Sequence, residues 1–258
     1  MIHQSAIVSK TVEIEEDVVI GPYCVIEGEV FIEKGTEIGP MVHITGKVRI
    51  GKGCKIHTGA TIGQSAQHLT KESNGKVVIE DGVTIREYAS IHRGTDENET
   101  KVGKDAYLMA YAHVAHDCFV GQGAILANCA TLGGHAVVEE YAFLGGLCAI
   151  HQWARVGKYA MVGGLSGVSL DIPPFCIASG QHAKLYGLNI RGLKKHGFNL
   201  DTINALKRAY RVIFRSGLTK EEAFKSLEEE CIKFREVQEM VNFVKNSKRG
   251  VTRDAGIG

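Results

Sequence analysis

From Val8 onward every sixth residue is Val or Ile: Val8, Ile14, Ile20, Ile26, Ile32, Ile38, Ile44, Ile50, Ile56 and Ile62. Two positions before each stands a small or β-branched residue, from Ala6 through Cys24 and Thr36 to Ala60. The step of six stops over 63–76, resumes at Ile79, Ile85 and Ile91, and stops again over 92–99. It then runs unbroken from Val102 to Val168, with mostly Ala or Cys in the small slot. A period of six fits neither an amphipathic helix nor an alternating strand. It is the mark of a parallel β-helix, each hexad supplying one short strand and one corner. Three hexads close one triangular coil, so equivalent positions three hexads apart stack with a spacing of about 4.8 Å. The aliphatic residue points inward, and the small residue lets the chain approach itself near the corner. Glycine is abundant (31) and proline scarce (4), as many tight turns require.

The two breaks read as loops thrown out of the coil, and interruptions of so regular a stack point to function. The pattern ends after Val168, and Asp171-Ile-Pro-Pro-Phe175 marks the exit. The division is a β-helix over 1–182 and a helical C-terminal region over 183–258. Asn199–Ser216 has one apolar face and is ended by Gly217. Thr219 and Glu222 form a capping box opening a helix to about Phe234. A last helix spans about Val237–Lys245, and the tail from Ser247 reads as loose.

Net charge is +1, which gives no overall field for nucleic acid or a membrane surface. Seven cysteines, an odd number with no CxxC pair, argue against a disulfide framework or zinc knuckle and for a reducing compartment. The N-terminus lacks the apolar run of a secretory signal, and no stretch is long and apolar enough for a membrane span. The expectation is a cytoplasmic protein without an integral membrane segment.

The coil geometry says which histidines can meet. His116 and Gln152 occupy the same slot two coils apart, or about 10 Å. His135 lies one coil above His116 and one position over, and His151 is beside Gln152. These residues line one edge of the prism, with His113 facing outward nearby. Corner positions are polar in any β-helix, but so dense a cluster favours chemistry. Two chemistries can use it. One is a metal site, as in trimeric γ-class carbonic anhydrases of this architecture, which use three histidines. The other is general base catalysis on a hydroxyl by a neutral imidazole. Asp117 follows His116 and either orients it or is a plain turn residue. The Gly134 amide, one coil above, either meets a developing oxyanion or only allows the turn. Cys118 occupies the inward small slot and reads as packing rather than as a nucleophile. Arg191, Lys194 and Lys195, with Lys184, form a basic cluster suited to an acidic partner or a diphosphate, or an ordinary solvated face.

The stretches IHRGT (91–95), AHVAHDC (112–118), LANCATLGGH (126–135), GGLCAIHQ (145–152) and MVGGLSGV (161–168), followed by ASGQHAKLYGLNIRGLKKHGF (178–198), resemble the UDP-N-acetylglucosamine acyltransferase family over nearly the whole chain. The resemblance implies a left-handed, trimeric β-helix. The implied reaction moves a 3-hydroxyacyl chain from acyl carrier protein to the 3-hydroxyl of UDP-N-acetylglucosamine, opening lipid A synthesis. It implies no cofactor beyond the phosphopantetheine of the carrier. By matched position His116 is the base with Asp117 its partner, and Gly134 is the oxyanion donor. Gln67, His68, His113, His135, His151, Gln152, Asn189, Arg191 and Lys195 fall at substrate-binding positions. Met161, Gly164 and His182 fall along the acyl groove. The chain departs from the family at His68-Leu69-Thr70, at Arg191, where an acidic residue is common, and at Lys195-His196, where two arginines are usual. A lysine cannot reproduce a bidentate guanidinium contact. Some members use a 3-amino sugar and form an amide. The related N-acyltransferases carry an N-terminal uridine-binding domain, for which hexads beginning at Ala6 leave no room.

Overall fold

The structure is a computed structural model, and it describes residues 1–256; 257 and 258, the end of the tail, lie outside the described residues. The hexads form a left-handed parallel β-helix with three flat faces of nine, eight and ten strands, most of them two residues long. The first sheet starts at Ile7–Val8, the second at Glu13–Ile14 and the third at Val19–Ile20. Successive coils pair at a step of three hexads: Val25 with His43, Phe119 with Val137, Phe143 with Met161. Main-chain hydrogen bonds run along the axis, as from Thr131 N to the Cys148 carbonyl at 2.9 Å. The aliphatic and small slots fill the interior. Ile26, Ile32, Ile44 and Ile50 are fully buried, as are Cys24, Ala112 and Ala130.

Most corners use the left-handed region of backbone space, at the third position after the inward aliphatic. Asp117, His135, Trp153, Tyr141, Tyr159, Leu147 and Leu165 all have φ between 55° and 67° there. Non-glycine residues adopt this conformation at some cost, which stacking against the neighbouring coil offsets. The gain is directional, because side chains in this column project from the corner and align from one coil to the next.

Both interruptions leave the same edge, between the first and second sheets. Across the first loop Thr61 pairs with Ser90, a step well beyond three hexads, so the added chain is expelled without disturbing the stack. Across the second, Ser90 pairs with His113, a shorter excess over the same step.

Beyond Val168 the chain differs from the sequence reading at three points. A strand, Lys184–Leu188, precedes the helices and pairs antiparallel with Cys176–Ser179 at the end of the third sheet. It forms because Leu185 and Leu188 turn into the core. Helices α1 (Ile190–Lys195), α2 (Leu200–Arg215), α3 (Lys220–Ser226), α4 (Glu228–Lys233) and α5 (Arg235–Lys245) follow. Thr219 and Glu222 cap α3 reciprocally, but the expected continuous helix breaks at buried Leu227, which ends α3 and opens α4. The tail is not loose. Val251 bridges to Asp171 and Asp254 to Leu185. Asp254, 2% exposed, accepts hydrogen bonds from the Tyr210 hydroxyl and from Arg215 Nε, the latter at 2.9 Å. Thus the tail straps α2 to the last coil through a buried carboxylate. Asp254→Ala should lower unfolding free energy by about 3 kcal/mol, measured by urea denaturation; an unchanged midpoint would show that the strap adds no stability.

Candidate active site at the first edge

Asp117, His135 and Trp153 stand in one column, each one coil above the last. His135 lies flat on the Trp153 indole, with centroids 3.7 Å apart and planes within 7°. Its Nε2 is 3.3 Å from Asp117 Oδ2. His116, 7% exposed, sits edge-on to His135 at 5.2 Å. Its Nδ1 is 2.7 Å from Asp117 Oδ2.

The second loop fixes that carboxylate. Fully buried Thr95 donates its N–H to Asp117 Oδ1 at 3.0 Å and its hydroxyl to Oδ2 at 2.8 Å. Below, Thr100 Oγ1 accepts the Asp117 N–H at 2.8 Å. Burial pushes the Asp117 pKa up, but the hydrogen bonds from His116 and Thr95 outweigh it and hold the group below the usual carboxylate value. Asp117 is therefore ionised near neutrality, and Nδ1 of His116 is the donor in their bond. The free lone pair of His116 then lies on Nε2.

Gly134 occupies the slot above His116, and a Cβ there would lie 2.5 Å from the imidazole Cε1 and Nε2. Only glycine fits, and its N–H finds no acceptor among the described residues. Gly134 thus packs close against the His116 ring with its amide unpaired. Cys118 is 1% exposed with its thiol pushed up to about 12 by burial, which leaves no thiolate for nucleophilic attack.

The first loop overhangs this cluster. His68 is exposed, its ring 5.6 Å from His116 and edge-on, and its Nδ1 accepts the Lys71 N–H at 3.1 Å. Lys71 Nζ reaches Asp96 of the second loop at 3.3 Å. Gln67 stands beside His68 on the same loop. His113 faces outward from the first sheet, with Nδ1 2.7 Å from Ser90 Oγ. Burial pushes its pKa down to about 4. Burial also lowers His135. His151 and Gln152 are exposed further up the edge, and Arg249 of the C-terminal strap meets His151 Nδ1 at 2.9 Å.

Other expected residues lie elsewhere in the chain. Asn189 caps α1, accepting the Gly192 N–H at 3.1 Å and donating to the Tyr159 carbonyl at 3.0 Å. That anchors it, with exposed Arg191 and Lys195, at the edge between the second and third sheets. Gly164 and Met161 belong to the third sheet and its edge with the first. A cavity of about 490 Å³ over the top of the first sheet links His151 to Leu147, Leu165 and His182. A single chain thus unites His116, Asp117, Gly134, His135, His113 and His68, and leaves the α1 residues on another edge. Sequence reasoning passes over Thr95 and Trp153. Trp153 is legible as the next member of the column, one coil above His135. Thr95 is not, because its contact depends on the path of a loop.

The comparisons agree over the whole chain. A profile described as UDP-N-acetylglucosamine O-acyltransferase, domain 2, matches residues 171–252, and the bacterial transferase hexapeptide profile matches 29–64 and 99–134. The acyl-[acyl-carrier-protein]–UDP-N-acetylglucosamine O-acyltransferase of Aquifex aeolicus is 57% identical, covering 98% of both chains. That of Thermodesulfovibrio yellowstonii is 47% identical, over 98% of this chain and 99% of its own. Among solved structures, the Francisella novicida UDP-N-acetylglucosamine acyltransferase superposes with a TM-score of 0.95 at 34% identity, covering 99% of this chain and 95% of its own. The Campylobacter jejuni enzyme gives 0.92 at 36%, covering 98% and 99%.

The burial of His113 has a pH consequence. Its folded pKa lies below the ordinary 6.5, so the unfolded chain binds the proton more readily. The stability that His113 contributes is full above pH 6.5 and is lost as pH falls toward about 4. His92 and His135, also lowered by burial, add to the same slope. Urea midpoints should therefore decline across that window, and His113→Gln should flatten the decline. An equal slope in the variant would contradict the assignment.

Proposed function

The chain belongs to the UDP-N-acetylglucosamine O-acyltransferase family, and from that premise we propose that His116 is the general base of its acyl transfer. The reaction is transfer of an acyl chain from acyl carrier protein to UDP-N-acetylglucosamine, the first step of lipid A synthesis. The observation that carries the mechanism is the His116–Asp117–Thr95 chain of hydrogen bonds with Gly134 beside it.

His116 Nε2 takes the proton of the sugar 3-hydroxyl as that oxygen attacks the thioester carbonyl of a 3-hydroxyacyl donor. The new C–O bond leaves a tetrahedral oxyanion, which accepts the Gly134 N–H. Collapse breaks the C–S bond, and the leaving thiolate recovers the proton from the imidazolium. Ionised Asp117 stabilises that imidazolium and holds the ring. Nothing in this sequence of steps needs an acyl-enzyme or a cofactor beyond the carrier's own phosphopantetheine. His113, His135, His68 and Gln67 surround the position the sugar must take.

The active assembly is a homotrimer in this reading. Asn189, Arg191 and Lys195 can join His116 only from another copy, since their own edge is a different one. The third edge supports such packing, with Tyr23, Met41, Tyr88, Tyr111, Leu147 and Leu165 all exposed in a row. The 3-hydroxyacyl chain would lie in the cavity beside Leu165, with Met161, Gly164 and His182 near its end. The exposed α1 lysines suit the acidic carrier. Seven free cysteines fit the cytoplasm.

The metal reading has one observation behind it: ligand atoms of His116, Asp117 and His135 lie within 4.8 Å of one another. Both Asp117 oxygens are already engaged by Thr95 and His116, and the third donor is a carboxylate rather than a histidine. The base reading uses those bonds as they stand.

His116→Ala should lower kcat about 10³-fold while circular dichroism and oligomer size stay unchanged; retained turnover would sink the assignment. Cys118→Ala, by contrast, should keep kcat within a few-fold, whereas loss in a folded variant would point to a covalent intermediate. Thr95→Val removes one bond to the carboxylate and should cut kcat about tenfold with little change in KM, and Thr95→Ser should restore it.

A further inference from the structure

We propose that Arg249, in the C-terminal strap, is a positioning residue for the active edge: it sets the proton of His151, so that this ring offers an N–H at Nε2 to the bound substrate. Arg249 donates from Nε to the Ser169 carbonyl at 2.6 Å and from Nη2 to His151 Nδ1 at 2.9 Å. A guanidinium offers only N–H donors and no acceptor. In that bond Nδ1 must therefore be the acceptor, and a neutral ring then carries its proton on Nε2. Left to its own coil, His151 has the opposite choice. The Gln152 carbonyl lies 3.0 Å from the same Nδ1 and would accept its N–H, which leaves the lone pair on Nε2. Arg249 thus decides whether the ring meets a ligand as a donor or as an acceptor.

The guanidinium is held by the fold around it. Asp171, 1% exposed, accepts the Arg155 N–H at 2.9 Å through Oδ1 and the Ser247 hydroxyl at 2.7 Å through Oδ2. Its own N–H goes to the Gly250 carbonyl at 2.9 Å, and its carbonyl accepts the Thr252 N–H at 2.9 Å. The strap is thereby fixed on both sides of Arg249, against the exit from the last coil. His151 lines the cavity over the first sheet together with Leu165, Ser169 and His182. Both hydrogen bonds of its ring are made at Nδ1, so Nε2 is the atom left for a ligand. An N–H there suits an oxygen that can only accept. Two parts of the substrates carry such oxygens: the diphosphate of UDP-N-acetylglucosamine and the carbonyls of the acyl-phosphopantetheine arm. The strap that closes the C-terminal region against the coil thus also sets a donor on the active edge.

The inference rests on the acyl-transfer reading, which wild-type turnover tests separately, while the tautomer is read without turnover. Long-range ¹H–¹⁵N correlation spectra, with His151 assigned by its loss in His151→Ala, should place the wild-type proton on Nε2 and move it to Nδ1 in Arg249→Met. A proton on Nδ1 in the wild type, or a tautomer unchanged in Arg249→Met, overturns the proposal whatever the activity. In the transfer assay Arg249→Met should raise KM about tenfold for one substrate and change kcat much less. A raised KM for UDP-N-acetylglucosamine assigns the contact to the diphosphate, and a raised KM for the acyl carrier protein assigns it to the phosphopantetheine arm. Arg249→Lys still donates to Nδ1 and recovers part of the loss. In a His151→Ala background Arg249→Met costs nothing further, because Arg249 acts through the ring. A folded Arg249→Met with both KM values unchanged, or the same loss on top of His151→Ala, overturns the proposal. Should Arg249→Met not fold, the wild-type tautomer decides alone.

Discussion

The three-hexad register of the coil is the constraint from which the rest follows. Main-chain hydrogen bonds from each coil to the next, such as Thr131 N to the Cys148 carbonyl, tie every position to its counterpart along the prism. A slip of one residue would turn the inward Val and Ile positions out to solvent, so burial fixes the register at every step. Side chains distant in sequence thereby become neighbours at fixed spacing. Asp117, His135 and Trp153 meet because the isoleucine, leucine and valine core counts correctly beneath them.

The left-handed corner position turns one backbone rule into three surfaces. At the first edge it carries Asp117, His135 and Trp153, a polar column with an aromatic roof. At the second edge it carries Tyr141 and Tyr159, which stack at 5.1 Å and receive His196 and Phe198 from the C-terminal region. At the third it carries exposed tyrosine and leucine side chains. The same conformational cost thus serves chemistry, attachment of α1, and a face suited to self-association. The two loops are inserted only at the first edge, where they supply Thr95 to the carboxylate and bury His92.

Legibility from sequence follows the same division. Everything governed by the hexad is readable: the coil, the inward residues, the place of both loops, and the meeting of His116 with His135. The roles of Asp117 and Gly134 are open from spacing alone. The Thr95 bonds and the space above His116 resolve the geometry of both. What the hexad does not govern is harder. The strand Lys184–Leu188 has only five residues, one of them a glycine, and the tail residue Asp254 is buried through partners at Tyr210 and Arg215 that no local pattern announces. Asn189, Arg191 and Lys195 match family positions, yet the fold of the chain sets them on the edge between the second and third sheets, away from His116, which no local pattern announces.

The measurement closest to the central claim is product formation by the purified protein. It would be given UDP-N-acetylglucosamine and 3-hydroxyacyl carrier protein, beside the 3-amino analogue of the sugar. A histidine base set against a hydroxyl predicts an ester at the sugar 3-position. Acylation of the amino sugar alone, or no transfer to either, would contradict the account.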